Sequence, residues 1–154
     1  MVYLDTSALA KWYVNEPGSE AFADWIVEQK EPWISRLTAV ELRCLLARRC
    51  RAGQLSVDLA DRIYATFEED LAHGHLFLRP LSDGTLEAAL GLIVSLDGHA
   101  LRTLDAIHLS VVRELRAPAL ATADATMAVA AEELGLEVVR FGGWCVVKQA
   151  RPEQ

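Results

Sequence analysis

Three cysteines, Cys44, Cys50 and Cys145, are all the sequence has, an odd number without a Cys-x-x-Cys pair. That argues against a disulfide framework and against a thiolate zinc site, and suits a reduced, cytoplasmic setting. Aromatic residues are few, at 7%. No apolar run approaches membrane-spanning length, and no basic segment followed by an apolar stretch opens the chain, so neither a membrane protein nor a signal peptide is expected. Positive charge is short as well: the formal net charge is -7. A protein that grips nucleic acid with a broad basic surface is thereby disfavoured, because that mode depends on Lys and Arg displacing phosphate counterions. Any such contact must be local. The four histidines do not make a zincin-type helix motif, and His73-Gly74-His75 reads as a loop.

What the chain does have is apolar content, 52% of 154 residues, mostly Ala, Leu and Val. This is enough for one globular domain with a core of its own, expected over 1–147, with a flexible tail at 148–154. Short apolar runs alternate with helical patterns. Strands are predicted at Val2-Tyr3-Leu4, Pro32 to Ser35, Leu76-Phe77-Leu78 and Ala119 to Thr122, with a last edge strand at Glu137-Val138-Val139. Helices are predicted over Ala8 to Val14, Ser19 to Gln29, Thr38 to Arg51, Ser56 to Leu71, Ser82 to Leu96, Thr103 to Arg116 and Ala125 to Leu134. The alternation implies a three-layer α/β/α domain around a mostly parallel sheet of four or five short strands.

Ligands of open parallel sheets bind beyond the carboxyl ends of the strands, and Asp5 and Asp124 each directly follow a strand. Both precede helices, so an N-cap role fits them equally. Asp105 falls on an apolar helical stripe between Leu109 and Val112, where a carboxylate is costly unless paired, hydrogen-bonded or bound to metal. His108, beside Leu104, Val111 and Leu115, reads as a packed core histidine. Glu41 lies early in its helix with Arg48 along the same side, as an exposed ion pair would. Trp12, Tyr13, Trp25 and Trp33 suit either core or an aromatic groove.

Four strings carry more than spacing does: Val2-Tyr3-Leu4-Asp5-Thr6-Ser7-Ala8-Leu9, Thr38-Ala39-Val40-Glu41-Leu42, Leu101-Arg102-Thr103-Leu104-Asp105-Ala106-Ile107-His108-Leu109-Ser110 and Ala121-Thr122-Ala123-Asp124. In this order and at these intervals the sequence resembles the PIN-domain ribonucleases, and among them the VapC toxins of bacterial toxin–antitoxin pairs. The resemblance implies a metal-dependent endoribonuclease using magnesium or manganese. It implies Asp5, Glu41 and Asp105 as the core ligands and Asp124 as a further ligand or a group behind them, all four being candidate catalytic residues. Thr6, Ser7 and Thr122 would support them by hydrogen bonds, although helix capping by Thr6 and Ser7 and a plain strand role for Thr122 fit as well. Arg48 is the candidate RNA phosphate contact, RNA the substrate, and a cognate antitoxin and a second toxin copy the expected partners.

Hard oxygen donors suit magnesium and manganese, which keep coordinated waters and leave room for phosphate oxygens. Two other readings compete with this one. A phosphatase or phosphotransfer domain also places Asp after its first strand, but Asp5-Thr6-Ser7 lacks the second Asp two residues on, and no phosphate-cradling Gly-rich loop with its Lys is present. A catalytically silent interaction module is the other, and the presence of all four acidic positions argues against it.

Overall fold

The computed structural model describes residues 1–141; the expected tail and Cys145 lie outside the described residues. Five strands form one sheet in the order β3-β2-β1-β4-β5, comprising β1 (Val2–Leu4), β2 (Pro32–Ser35), β3 (Phe77–Arg79), β4 (Ala119–Thr122) and β5 (Glu137–Arg140). Every pairing is parallel, which sharpens the expectation of a mostly parallel sheet. The helices between them are α1 (Thr6–Tyr13), α2 (Ser19–Ile26), α3 (Arg36–Arg51), α4 (Val57–Ala72), α5 (Asp83–Ser95), α6 (Thr103–Leu115) and α7 (Ala125–Glu133).

Side chains alternate faces along a strand, and β1 distributes them accordingly. Val2 and Leu4 enter a core with Leu9, Phe22, Leu42 and Phe67 from α1 to α4. Tyr3 enters the opposite core with Leu92, Leu109, Val112 and Met127 from α5 to α7. Three layers result. All of β1 is buried, as a central strand covered on both faces must be.

Capping explains where the helices begin. Asp5 accepts from the Ala8 amide and so starts α1 at Thr6, earlier than the apolar periodicity at Ala8 suggests. Ser35 and Thr38 form a reciprocal capping box that starts α3 at Arg36 rather than Thr38. β3 is displaced by one residue from the expected run, since Phe77 is the partner of Trp33 in the register with β2. Trp12 packs against Tyr13 and Phe22 and belongs to the first core, as does Trp25; Trp33 stacks on Phe77 at the other side of the sheet.

The strand order makes β1 and β4 neighbours although more than a hundred residues separate them. Leu4 pairs with Ala121, and the Asp5 amide donates to the Ala121 carbonyl at 3.2 Å. The carboxyl ends of these two central strands therefore open side by side, at the edge where a parallel sheet offers its crevice.

Candidate functional site

Asp5 leaves the end of β1 and is 2% exposed. Its Oδ1 accepts from the Ala8 amide at 2.8 Å, Ser7 Oγ lies 2.8 Å from both carboxylate oxygens, and Thr122 Oγ1 donates to Oδ2 at 2.6 Å. Burial pushes its pKa up, opposed by the nearby His108 and by these donors. The capping and site readings of Asp5 thus describe one geometry: the group that starts α1 is also a fixed carboxylate at the crevice. Ser7 extends the arrangement, accepting from the Ala123 amide at 2.7 Å.

Asp124 is likewise the cap of α7, accepting from the Met127 amide at 3.0 Å, while its own amide donates to Thr122 Oγ1 at 2.9 Å. Asp105, 3% exposed, reaches back to accept from the Arg102 amide at 3.0 Å. The Arg102 side chain takes up both acids. Its Nε lies 3.1 Å from Asp105 Oδ2, and its Nη2 lies 3.2 Å from Asp105 Oδ1 and 2.7 Å from Asp124 Oδ2. The guanidinium itself is 71% exposed and its pKa is raised, first by the hydrogen bond to Asp105.

Glu41, in the second turn of α3, faces the same edge. It accepts from Thr6 Oγ1 and from His108 Nε2, the latter at 2.8 Å. Burial works to raise its pKa, but the hydrogen bond and charge of His108, with Thr6 and Arg102, outweigh it and hold the carboxyl below its ordinary value. The ion pair with Arg48 that the sequence suggests does not form: Arg48 is exposed on α3 two turns on, about 10 Å along the axis.

Asp5, Asp105 and Asp124 are thus linked at one end of the sheet through Ser7, Thr122 and Arg102, and Glu41 is held at the same end by Thr6 and His108. As these side chains stand, no three acidic, histidine or cysteine groups among the described residues converge as a single ligand set. A cation already lies between Asp105 and Asp124, but it is a guanidinium. The donor set fits a hard divalent ion all the same, because its oxygens are carboxylate and the edge draws positive charge to itself. An open hollow lined by Arg36, His73 and Phe77 lies elsewhere, between α4 and β3, and none of these four acids lines it.

Two residues that bond the acids were not expected at the site from the sequence. Arg102 stands three residues before Asp105 at a helix start, a spacing at which a side chain and a carboxylate meet on one turn. His108 is buried as expected, at 2% exposure, yet it is a hydrogen-bonding partner of Glu41 and more than packing.

The sequence profile of the PIN domain matches residues 2–139. A Mycobacterium tuberculosis protein named Ribonuclease VapC35 is 36% identical over 149 residues, covering 92% of this chain and 98% of that one. Among solved structures, M. tuberculosis VapC20, described as a sarcin–ricin loop cleaving toxin, superposes with a TM-score of 0.68 at 20% identity, over 84% of this chain and 95% of the other. VapBC2 from Rickettsia felis, solved on a DNA fragment from its promoter, gives a TM-score of 0.64 at 14% identity over 92% and 99% of the two chains.

Proposed function

The chain belongs to the PIN-domain family, and on that premise we propose that it is a metal-dependent endoribonuclease, the toxin of a bacterial toxin–antitoxin pair, in the cytoplasm. The observation that carries this reading is the pair of buried acids at the sheet edge, Asp5 at 2% and Asp105 at 3% exposure, with Glu41 and Asp124 beside them. Burying carboxylates is costly, and a fold keeps them at a crevice only where hydrogen bonds and positive charge compensate.

Each acid is held by the chain for that purpose. Asp5 is fixed by Ser7, Thr122 and the Ala8 amide, so its oxygens have little freedom to turn. Glu41 is fixed from α1 and α6, and Asp105 and Asp124 share the Arg102 guanidinium. These four would hold magnesium or manganese, Asp124 and Glu41 being the more exposed of them and Asp5 and Asp105 the buried pair. When bound, a divalent ion supplies a lowered pKa for water and charge stabilisation on the scissile phosphate. Arg102, exposed beside Asp105 and Asp124, and Arg48, exposed farther along α3, would meet phosphate oxygens of an RNA strand.

Among the described residues no helix is long and apolar enough to cross a membrane. A cognate antitoxin and a second toxin copy complete the reading, supported by the VapBC2 likeness for the first. For the second, α5 presents exposed Leu86, Leu90, Ile93 and Val94, an apolar surface of the sort that a partner copy covers.

The test is cleavage of RNA by the purified protein with magnesium or manganese, compared with chelator and with Asp5→Asn and Asp105→Asn. Cleavage that needs both the ion and the two acids supports the reading. Equal activity in every arm would refute it.

A further inference from the structure

His108 is the most deeply placed basic group near the site, on a helix whose neighbouring Leu109, Val111 and Val112 are wholly buried. An imidazole there costs stability unless both ring nitrogens find partners. Both do. Nδ1 lies 2.7 Å from the Tyr3 hydroxyl, and Nε2 lies 2.8 Å from Glu41 Oε2. The Tyr3 hydroxyl is in turn 2.9 Å from Ser35 Oγ, which is 3.3 Å from Thr38 Oγ1. The Tyr3 and His108 rings meet edge-on with centroids 5.8 Å apart, so packing as well as hydrogen bonding sets the imidazole plane.

The proton on Nε2 follows from its partner. An ionised carboxylate only accepts, so the nitrogen facing Glu41 must carry hydrogen. Tyr3 has one proton to give. If it goes to Ser35, the phenol oxygen accepts from Nδ1–H and the ring carries a proton on each nitrogen; if it turns to Nδ1, Ser35 donates to the phenol and the ring carries only the Nε2 proton. Nε2–H points at Glu41 in both cases.

Glu41 needs such a hold more than the other acids do. Asp5, Asp105 and Asp124 are short side chains tied to a backbone amide at a helix start. Glu41 is longer and lies past the first turn of α3, where no free amide is available to it, so its carboxylate must be ordered by groups from other elements at an entropic cost. We infer that His108 is the positioning residue of Glu41: its Nε2–H, with the ring set by the Tyr3 hydroxyl, fixes the Glu41 carboxylate for a divalent cation. The inference rests on the proposed role of Glu41 as a ligand.

The test uses the full-length protein and manganese alone as the probe, with binding read by calorimetry or by the free-ion paramagnetic resonance signal. Native protein is compared with His108→Leu, His108→Gln, Tyr3→Phe, Glu41→Gln and the Glu41→Gln/His108→Leu double variant. His108→Leu is expected to weaken manganese binding about tenfold or more, and to lower kcat on RNA with KM little changed. His108→Gln keeps an N–H donor and recovers most of the loss; Tyr3→Phe, which removes one oxygen and keeps the ring, loses a few-fold. In the Glu41→Gln background the His108→Leu change adds less than about twofold, because its target is gone.

Native-level manganese binding by a folded His108→Leu protein overturns the inference, as do fully additive losses in the double variant. Should His108→Leu unfold the chain, Tyr3→Phe decides, and an affinity equal to the native protein's overturns it. If Glu41→Gln itself binds manganese as the native protein does, the ligand role of Glu41 falls and the inference with it; if Glu41→Gln fails and His108→Leu does not, only the inference falls.

Discussion

Arg102 holds Asp124 through a contact of 2.7 Å from Nη2 to Oδ2, and the same nitrogen also reaches Asp105. A single guanidinium thus bridges two acids, one within α6 and one at the N-cap of α7, and its one positive charge is shared between them. Its side chain remains 71% exposed, so the contact is readily exchanged with solvent and with other cations.

From this follows a competition. Removing the guanidinium with Arg102→Ala leaves Asp105 and Asp124 facing each other without a counter-charge, a situation that a divalent ion relieves. Manganese binding is expected to tighten a few-fold in the variant at low salt, while stability in chelator falls by roughly 1–3 kcal/mol because the buried Asp105 loses its counter-charge. Thermal unfolding with and without manganese measures both effects. Weaker manganese binding in Arg102→Ala would mean that the guanidinium orders the acids and does not compete for them.

Asp5 and Glu41 should respond to pH in opposite directions. Burial raises the Asp5 pKa, so the folded state binds a proton more readily than the unfolded one, and the contribution of Asp5 to stability declines as pH rises from the ordinary carboxylate range. The Glu41 pKa is lowered despite burial, chiefly by His108, so its contribution is present above the ordinary carboxylate range and is lost as pH falls through the lowered folded value. Urea unfolding in chelator between about pH 3 and 7 separates them, that range spanning the ordinary carboxylate pKa. Relative to the native protein, Asp5→Asn gains as pH rises and Glu41→Gln loses. Slopes of the same sign for both variants would contradict the assigned shifts.

Much of the architecture behind these acids is written in local patterns. The central strands β1 and β4 are short and almost wholly apolar, and Ser56 and Gly135 mark a helix start and a helix end on the chemistry of single residues. Asp105 stood out because a carboxylate interrupts an apolar stripe, and it is buried as that stripe demands. The relations that escaped are those between elements. A helical wheel shows what shares a face of one helix, so it offered Arg48 to Glu41, whereas the true partners arrive from α1 and α6. His108 looked apolar in its company for the same reason: the wheel does not contain Tyr3 or Glu41.

The chemistry of the cut gives a further prediction. With a divalent ion on these acids activating water, as proposed, cleavage is expected to leave a 5'-phosphate and a 3'-hydroxyl. Treating the fragments with phosphatase before labelling, and resolving them by mass, identifies the ends. A 2',3'-cyclic phosphate would point to attack by the ribose hydroxyl and sink the metal–water route.

Arg48 is the test of substrate reach. Exposed on α3 beyond Glu41, it is expected to contact an RNA phosphate without touching the reacting groups. Arg48→Ala should raise KM several-fold, leave kcat nearly unchanged and reduce the salt dependence of binding by roughly one phosphate contact. An unchanged KM at every salt concentration removes Arg48 from the path of the RNA.

The pairing of β1 with β4 has a consequence in time. Asp5 is translated well before its support: the Thr122 hydroxyl that fixes its carboxylate, on the strand that pairs beside it, comes 117 residues later. Until that stretch has been synthesised and has found its place in the middle of the sheet, the leading strand lacks one neighbour and the acids have no common edge to line. Asp5 therefore acquires the groups that hold its carboxylate only once β4 has been made and has docked beside β1.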